Sequence, residues 1–161
     1  MAVRDVLRYP HPALKRKARP PTPEEATRVA QDLLDTMRAA PGIGITAAHI
    51  GVLKRVVVIE LDAADGAHTY VNPEIVWASS ATARHQEGSI SMPGATEEIE
   101  RPARVRVRYR TLDGAERAEE ADGLLAVCLQ HEIDQLDGIF WIQRLSRLKR
   151  DRLTKRFLKR A

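Results

Sequence analysis

The pattern of apolar and polar positions divides the chain into a few clear elements. Ala26, Val29, Ala30, Leu33, Leu34 and Met37 recur at helical spacing and form one apolar face. Thr22 stands ahead of them as an N-cap, Pro23 suits the first turn, and Glu25 completes a capping box. Pro41-Gly42 ends this first helix. Residues 55–61 are a β-branched apolar run, read as a buried strand. Residues 68–71 predict another strand, stopped by Asn72-Pro73, with 75–77 extended beyond it. Residues 104–110 alternate, with Val105, Val107 and Tyr109 on one face and arginines on the other. Asp113-Gly114 signals a hairpin that returns through a polar strand at 115–121.

A second helix is expected over 123–137, with Asp122 as N-cap and Gly138 as the C′ stop. Its first turns are apolar nearly all round (Leu124, Leu125, Ala126, Val127, Cys128, Leu129), which marks it as the buried central helix. A basic amphipathic helix closes the chain, with Leu145, Leu148, Leu153, Phe157 and Leu158 as its apolar residues. Helix, strands, helix, helix is the order of an α+β domain, and residues 1–161 read as one such domain with 143–161 as its basic C-terminal helix.

Composition narrows the class. Apolar residues make up 43% and charged residues 30%, which excludes a disordered chain. The single cysteine, Cys128, excludes an internal disulfide and suits a reducing cytoplasm. No signal-peptide core and no membrane-length apolar run is present, so no membrane partner is expected. Charge is unevenly placed: nine Lys/Arg and one acid, Asp151, lie between Arg144 and Arg160, giving +8 there against +4 for the whole chain, so the remainder carries −4. A basic segment on an acidic body points to a polyanion such as RNA, although a solvated helix face accounts for the charge equally well.

The chemistry is carried by residues 130–135, Gln-His-Glu-Ile-Asp-Gln. A helical His-Glu-x-x-His binds a divalent metal because residues four apart share a face. Here His131 and Glu132 are present, but Gln135 stands where the second histidine belongs. Two further segments accompany this one: Gly42-Ile43-Gly44-Ile45-Thr46-Ala47-Ala48-His49 and Glu87-Gly88-Ser89-Ile90-Ser91.

Together the three segments resemble the peptide deformylase family, whose members remove the formyl group from the N-terminal methionine of nascent proteins. Val6-Leu7-Arg8-Tyr9-Pro10, Val71-Asn72-Pro73-Glu74-Ile75 and Arg144-Leu145-Ser146 extend the likeness over nearly the whole chain. The resemblance implies mixed and antiparallel strands around a central helix. It also implies a metal held by a Cys and two His with an open position for water, a Glu that moves the proton, and a Gln amide with a backbone N–H as oxyanion donors. Carried over, it gives Glu132, His49 and Ile90 the catalytic positions. His131, Ser89 and Gln135 take the ligand positions. Ile43, Gly44, Leu124, Val127 and Cys128 take the methionine pocket and the peptide-binding strand edge.

The chain departs from the family pattern once in each motif: Ser89 replaces Cys, Gln135 replaces His and His49 replaces Gln. A serine hydroxyl is neutral at working pH, and an amide oxygen is a weak donor for iron or zinc. The expectation is therefore no tightly bound metal, or at most iron, zinc or nickel held atypically. His131, Glu132, Gln135, Ser89 and His49 are expected to form a hydrogen-bonded cluster instead. Several alternatives stand beside this. His131 alone reads as a satisfied buried histidine, and Cys128 reads as core rather than nucleophile. A Ser89–His131 nucleophilic pair is disfavoured, because no orienting acid is evident. His49 as a substitute ligand with His131 and Glu132 or Asp134 is the remaining metal option. Gly42-x-Gly44 lacks the third glycine and context of a phosphate loop.

The function expected is a deformylase-like pseudoenzyme that keeps the peptide groove, binds formyl-methionyl N-termini in the cytoplasm and meets the ribosome through its basic helix. The alternatives are an active hydrolase of formylated or acylated peptides or small amides, with an atypical metal or none, and a paralogue acting on another acylated small molecule.

Overall fold

The computed structural model describes residues 2–160. Three helices, α1 (Pro23–Ala39), α2 (Gly123–Leu136) and α3 (Arg147–Arg160), and seven strands form its frame. The strands are β1 (Gly44–Thr46), β2 (Val56–Ile59), β3 (His68–Ala78), β4 (Thr82–Gly88), β5 (Thr96–Pro102), β6 (Arg104–Arg110) and β7 (Glu116–Asp122). One antiparallel sheet has the order β1-β2-β3-β6-β7, and β4-β5 form a separate two-stranded sheet. This is the expected α+β class.

The layers follow from β2. All four of its residues are buried, because the strand has a helix on each face. Val56 and Val58 pack with Leu33 and Met37 of α1. Val57 and Ile59 pack with Leu129, Ile133 and Leu136 of α2. A period of two delivers alternate side chains to the two cores, so an unbroken apolar run is what this position needs. Residues Ala126 to Leu136 of α2 are all buried, and truncating one of its leucines to Ala should cost roughly 2–5 kcal/mol.

The capping box of α1 is formed: Glu25 N–H donates to Thr22 Oγ1 at 3.2 Å and Thr22 N–H to Glu25 Oε1 at 2.9 Å. Gly138 takes φ +79 just past α2, and a side chain there would meet the Lys15 carbonyl oxygen at 2.7 Å, so only glycine fits.

Four expectations need correction. Asn72-Pro73 does not stop a strand: β3 runs on to Ala78, with register shifts around 71–74 and 75–77. Asn72 absorbs the irregularity at φ +50, a region that asparagine tolerates. Asp122 precedes α2 as the last residue of β7, but its side chain makes no cap bond. The closing helix starts at Arg147 and its buried face is narrow: Leu153 is buried, while Leu148 and Leu158 are exposed. Strands β4 and β5 were not expected, because they are mostly polar and bury only Glu87, Ile99 and Arg101. Among the described residues no helix is long and apolar enough to cross a membrane.

Candidate functional site

A cavity of about 450 Å³ opens beside α2. Ile43, Gly44, His49, Ser89, Ile90, Leu124, Val127, Cys128, His131 and Glu132 all line it. The structure thus gathers in one place every expected site residue except Gln135, which is not in the lining. Gln135 is buried, and its amide donates to the Leu14 carbonyl at 2.7 Å.

Three elements position the polar groups. His49 sits in the 3₁₀ turn Ala47–Ile50 that follows β1. Ser89 and Ile90 sit in the turn after β4, where Met92 N–H donates to the Ser89 carbonyl at 3.0 Å and Ser91 N–H to Ser89 Oγ at 3.1 Å. The Ile90 N–H has no partner among the described residues. His131 and Glu132 come from α2. Gly44 is required by Glu132, since a methyl group there would lie 2.7 Å from Glu132 Oε2.

The tautomer of His49 follows from its partners. Thr46 N–H, which can only donate, points at His49 Nδ1 at 3.0 Å. Nδ1 therefore holds the lone pair, and the proton of the neutral ring is on Nε2. Burial, helped by the nearby His131, pushes the His49 pKa down to about 3, so the ring stays neutral. Its Nε2–H is buried and has no acceptor among the described residues. This geometry removes His49 from the candidate metal ligands, because the nitrogen away from Thr46 is a donor.

Glu132 is pushed up to about 7 by burial, with the Glu87 charge adding to the effect. Its Oε1 is also buried without a partner. Burial drives the Cys128 thiol up to about 12, which leaves it protonated and without nucleophilic character.

Beside the cavity runs a chain of paired charges that the sequence did not announce. His131 Nδ1 lies 2.9 Å from Glu87 Oε1. Arg101 clamps Glu87 with bonds of 2.6 and 2.9 Å and reaches Asp134 Oδ2 at 2.9 Å. Arg144 closes on Asp134 with bonds of 2.9 and 2.7 Å. The bonds from His131 and Arg101 outweigh burial and hold Glu87 below the usual carboxylate range. The bond to Glu87 and the Glu132 charge outweigh burial and raise His131. Asp134 is thus committed to two arginines and is no spare metal ligand. Nothing in single-sequence patterning singles out Arg101, whereas Glu87 stands two residues before Ser89 in a segment already marked.

No direct hydrogen bond joins any two of the five residues expected to cluster. His131 bonds to Glu87, Gln135 to Leu14, His49 to Thr46 and Ser89 to Ser91. Among the described residues no three His, Cys, Asp or Glu side chains are grouped to hold a metal ion.

Comparison with known proteins fits this arrangement. A profile of the family described as Polypeptide deformylase matches residues 3–151. A peptide deformylase-like protein of Brucella melitensis is 65% identical over 161 residues, covering 99% of this chain and 98% of the relative. A peptide deformylase of Phenylobacterium zucineum is 48% identical, covering 100% of this chain and 98% of the relative. The crystal structure of a peptide deformylase from Legionella pneumophila superposes with a TM-score of 0.91 at 36% identity, covering 98% of this chain and 95% of that one. The chain belongs to the peptide deformylase family.

Proposed function

We propose that this cavity receives the formyl-methionyl N-terminus of a nascent peptide, and that the metal-dependent cleavage of the family is impaired in this chain. The apolar lining of Ile43, Leu124, Val127 and Cys128 suits an unbranched apolar side chain. Strand β1 is the edge of its sheet, and an edge offers unpaired backbone groups to an extended peptide.

The family uses a divalent metal. The donors here do not match one. Ser89 supplies a neutral hydroxyl that already accepts from Ser91 N–H. The observation that carries the reading is Gln135, which does not line the cavity and whose amide NH2 is turned to the Leu14 carbonyl. That leaves His131 as the one strong donor among the three ligand positions, and a single imidazole does not hold a catalytic transition metal against water.

The basic face of α3 supports a second part of the proposal, docking on ribosomal RNA in the cytoplasm. Arg147, Lys149, Arg152, Lys155, Arg156 and Lys159 are exposed on it. Ribosome pelleting at low salt should be lost when residues 144–161 are deleted.

Calorimetry with formyl-Met-Ala-Ser and its unformylated counterpart tests the main reading. Binding of the formylated peptide, with turnover far below that of an ordinary deformylase assayed beside it, is the expected result. Absence of binding overturns the groove, and ordinary turnover overturns the impairment.

A further inference from the structure

The sequence disfavours a Ser89–His131 pair because no acid is evident to orient the histidine. The fold supplies that acid. Glu87 Oε1 lies 2.9 Å from His131 Nδ1, and Glu87 is itself fixed by Arg101 at 2.6 and 2.9 Å. An ionised carboxylate only accepts, so His131 Nδ1 carries a proton and the neutral ring has its lone pair on Nε2. The ring's one hydrogen bond among the described residues is through Nδ1, which leaves Nε2 without one.

Ser89 shares the cavity with His131. Its Oγ accepts from Ser91 N–H at 3.1 Å, while its hydroxyl proton has no acceptor among the described residues. Ser89 and His131 are not hydrogen-bonded to each other here. In unliganded sites such bonds are commonly long, and they tighten when substrate is present. The next residue, Ile90, presents its unpartnered N–H, and His49 presents a fixed, unpartnered Nε2–H. A nucleophile, a base, an orienting acid and oxyanion donors are the parts that recur on unrelated folds, and here all of them line one cavity.

We propose that Ser89 is the nucleophile of a metal-independent acyl transfer in this cavity. His131 is its general base, Glu87 positions the histidine, and Ile90 N–H and His49 Nε2–H hold the oxyanion. The substrate class is an N-formyl or short N-acyl amine, so the inference rests on the reading that the cavity admits such a terminus. Ser89 Oγ bonds to the acyl carbon, its proton passes to His131 Nε2, and the carbonyl pair moves onto the oxygen between the two donors. Collapse breaks the C–N bond, and the amine leaves with the proton from His131. Water then adds to the seryl ester, and formate or a short carboxylate departs as Ser89 regains its proton.

The test uses a reporter-bearing fluorophosphonate on the full chain, with and without a chelator, and tryptic mass spectrometry to locate the adduct. Ser89 should be labelled equally in both samples. S89A should show no label at this peptide, and H131N should slow labelling by roughly 10²–10⁴-fold, the usual contribution of a general base. E87Q should slow labelling and move its pH midpoint downward, a change that loosened packing alone would not produce. A folded wild-type protein without a Ser89 adduct, or an adduct abolished by the chelator, overturns the proposal. Calorimetry of S89A with formyl-Met-Ala-Ser separates the two readings. Peptide binding without any Ser89 label in the wild type overturns this proposal alone. Label without peptide binding supports Ser89 as nucleophile and overturns the peptide groove.

Discussion

Helix α2 borders two buried polar regions that obey opposite rules. On one side, Glu87, Arg101, Asp134 and Arg144 form a run of charges in which each finds a partner at 2.6–2.9 Å. On the other, His49 Nε2 and Glu132 Oε1 are buried with none among the described residues. His131 belongs to both, with Nδ1 in the paired run and Nε2 at the cavity. Proteins rarely leave buried polar atoms unpaired, because each costs about 1–3 kcal/mol. The saturated side is what holding a fold requires. The unsaturated side lines a cavity, which is where a ligand supplies what the protein withholds. Two other orphaned atoms, Ser91 Oγ and Trp141 Nε1, lie outside the cavity lining, and the structure offers no ligand-based account of them.

The largest expected effect comes from restoring the family's ligand residues at positions 89 and 135. S89C combined with Q135H should take up iron, zinc or nickel to near stoichiometry and give at least trace deformylation, with H49Q raising it further. A well-folded double mutant that binds no metal in elemental analysis would count against this reading of the scaffold.

Breaking the saturated side should cost stability instead. R101L leaves Glu87 and Asp134 facing each other without their shared guanidinium, a loss of roughly 3–5 kcal/mol in urea unfolding. A loss below about 1 kcal/mol, the range of an exposed pair, would show that the network is not buried as described.

His49 sharpens the comparison through pH. Its folded pKa of about 3 lies below the 6.5 of an ordinary histidine. The unfolded state therefore binds the extra proton first, and this group costs stability as pH falls from 6.5 toward 3. H49Q removes that cost. Relative to wild type it should gain about 2 kcal/mol between pH 6.5 and 4.5 in denaturant titrations. A difference that stays flat with pH would contradict a neutral, buried ring.

G44A brings a methyl group to 2.7 Å from Glu132 Oε2 and should destabilise by about 1–3 kcal/mol, with weaker peptide binding by calorimetry. R147A should be the smallest perturbation. Arg147 and Asp151 are mostly exposed and 3.9 Å apart, so Tm should not move measurably.

Much of this was legible because local chemistry and fold agree. Thr22, Pro23 and Glu25 write the start of α1, and the apolar runs write β2 and α2. The resemblance to the family, rather than periodicity, implied that Ile43, His49, Ser89, Ile90, His131 and Glu132 meet, and all six line one cavity. Gln135 was misplaced because spacing fixes which face of α2 it occupies, not which partner takes its amide. Strands β4 and β5 were missed because a two-stranded sheet with polar faces carries no apolar alternation. Arg101 was missed for the same reason, since its burial is decided by Glu87 and Asp134, 14 and 33 residues away.

The most direct test is the metal content of the untagged protein, purified without oxygen and measured by elemental mass spectrometry. A cavity that keeps its shape while its ligand positions are filled by Ser89 and Gln135 predicts folded, stable protein with iron, zinc and nickel far below one atom per chain. Near-stoichiometric metal would contradict the account, because Ser89, Gln135 or Glu132 would then be serving as ligands and the unpaired groups of the cavity would be a metal site after all.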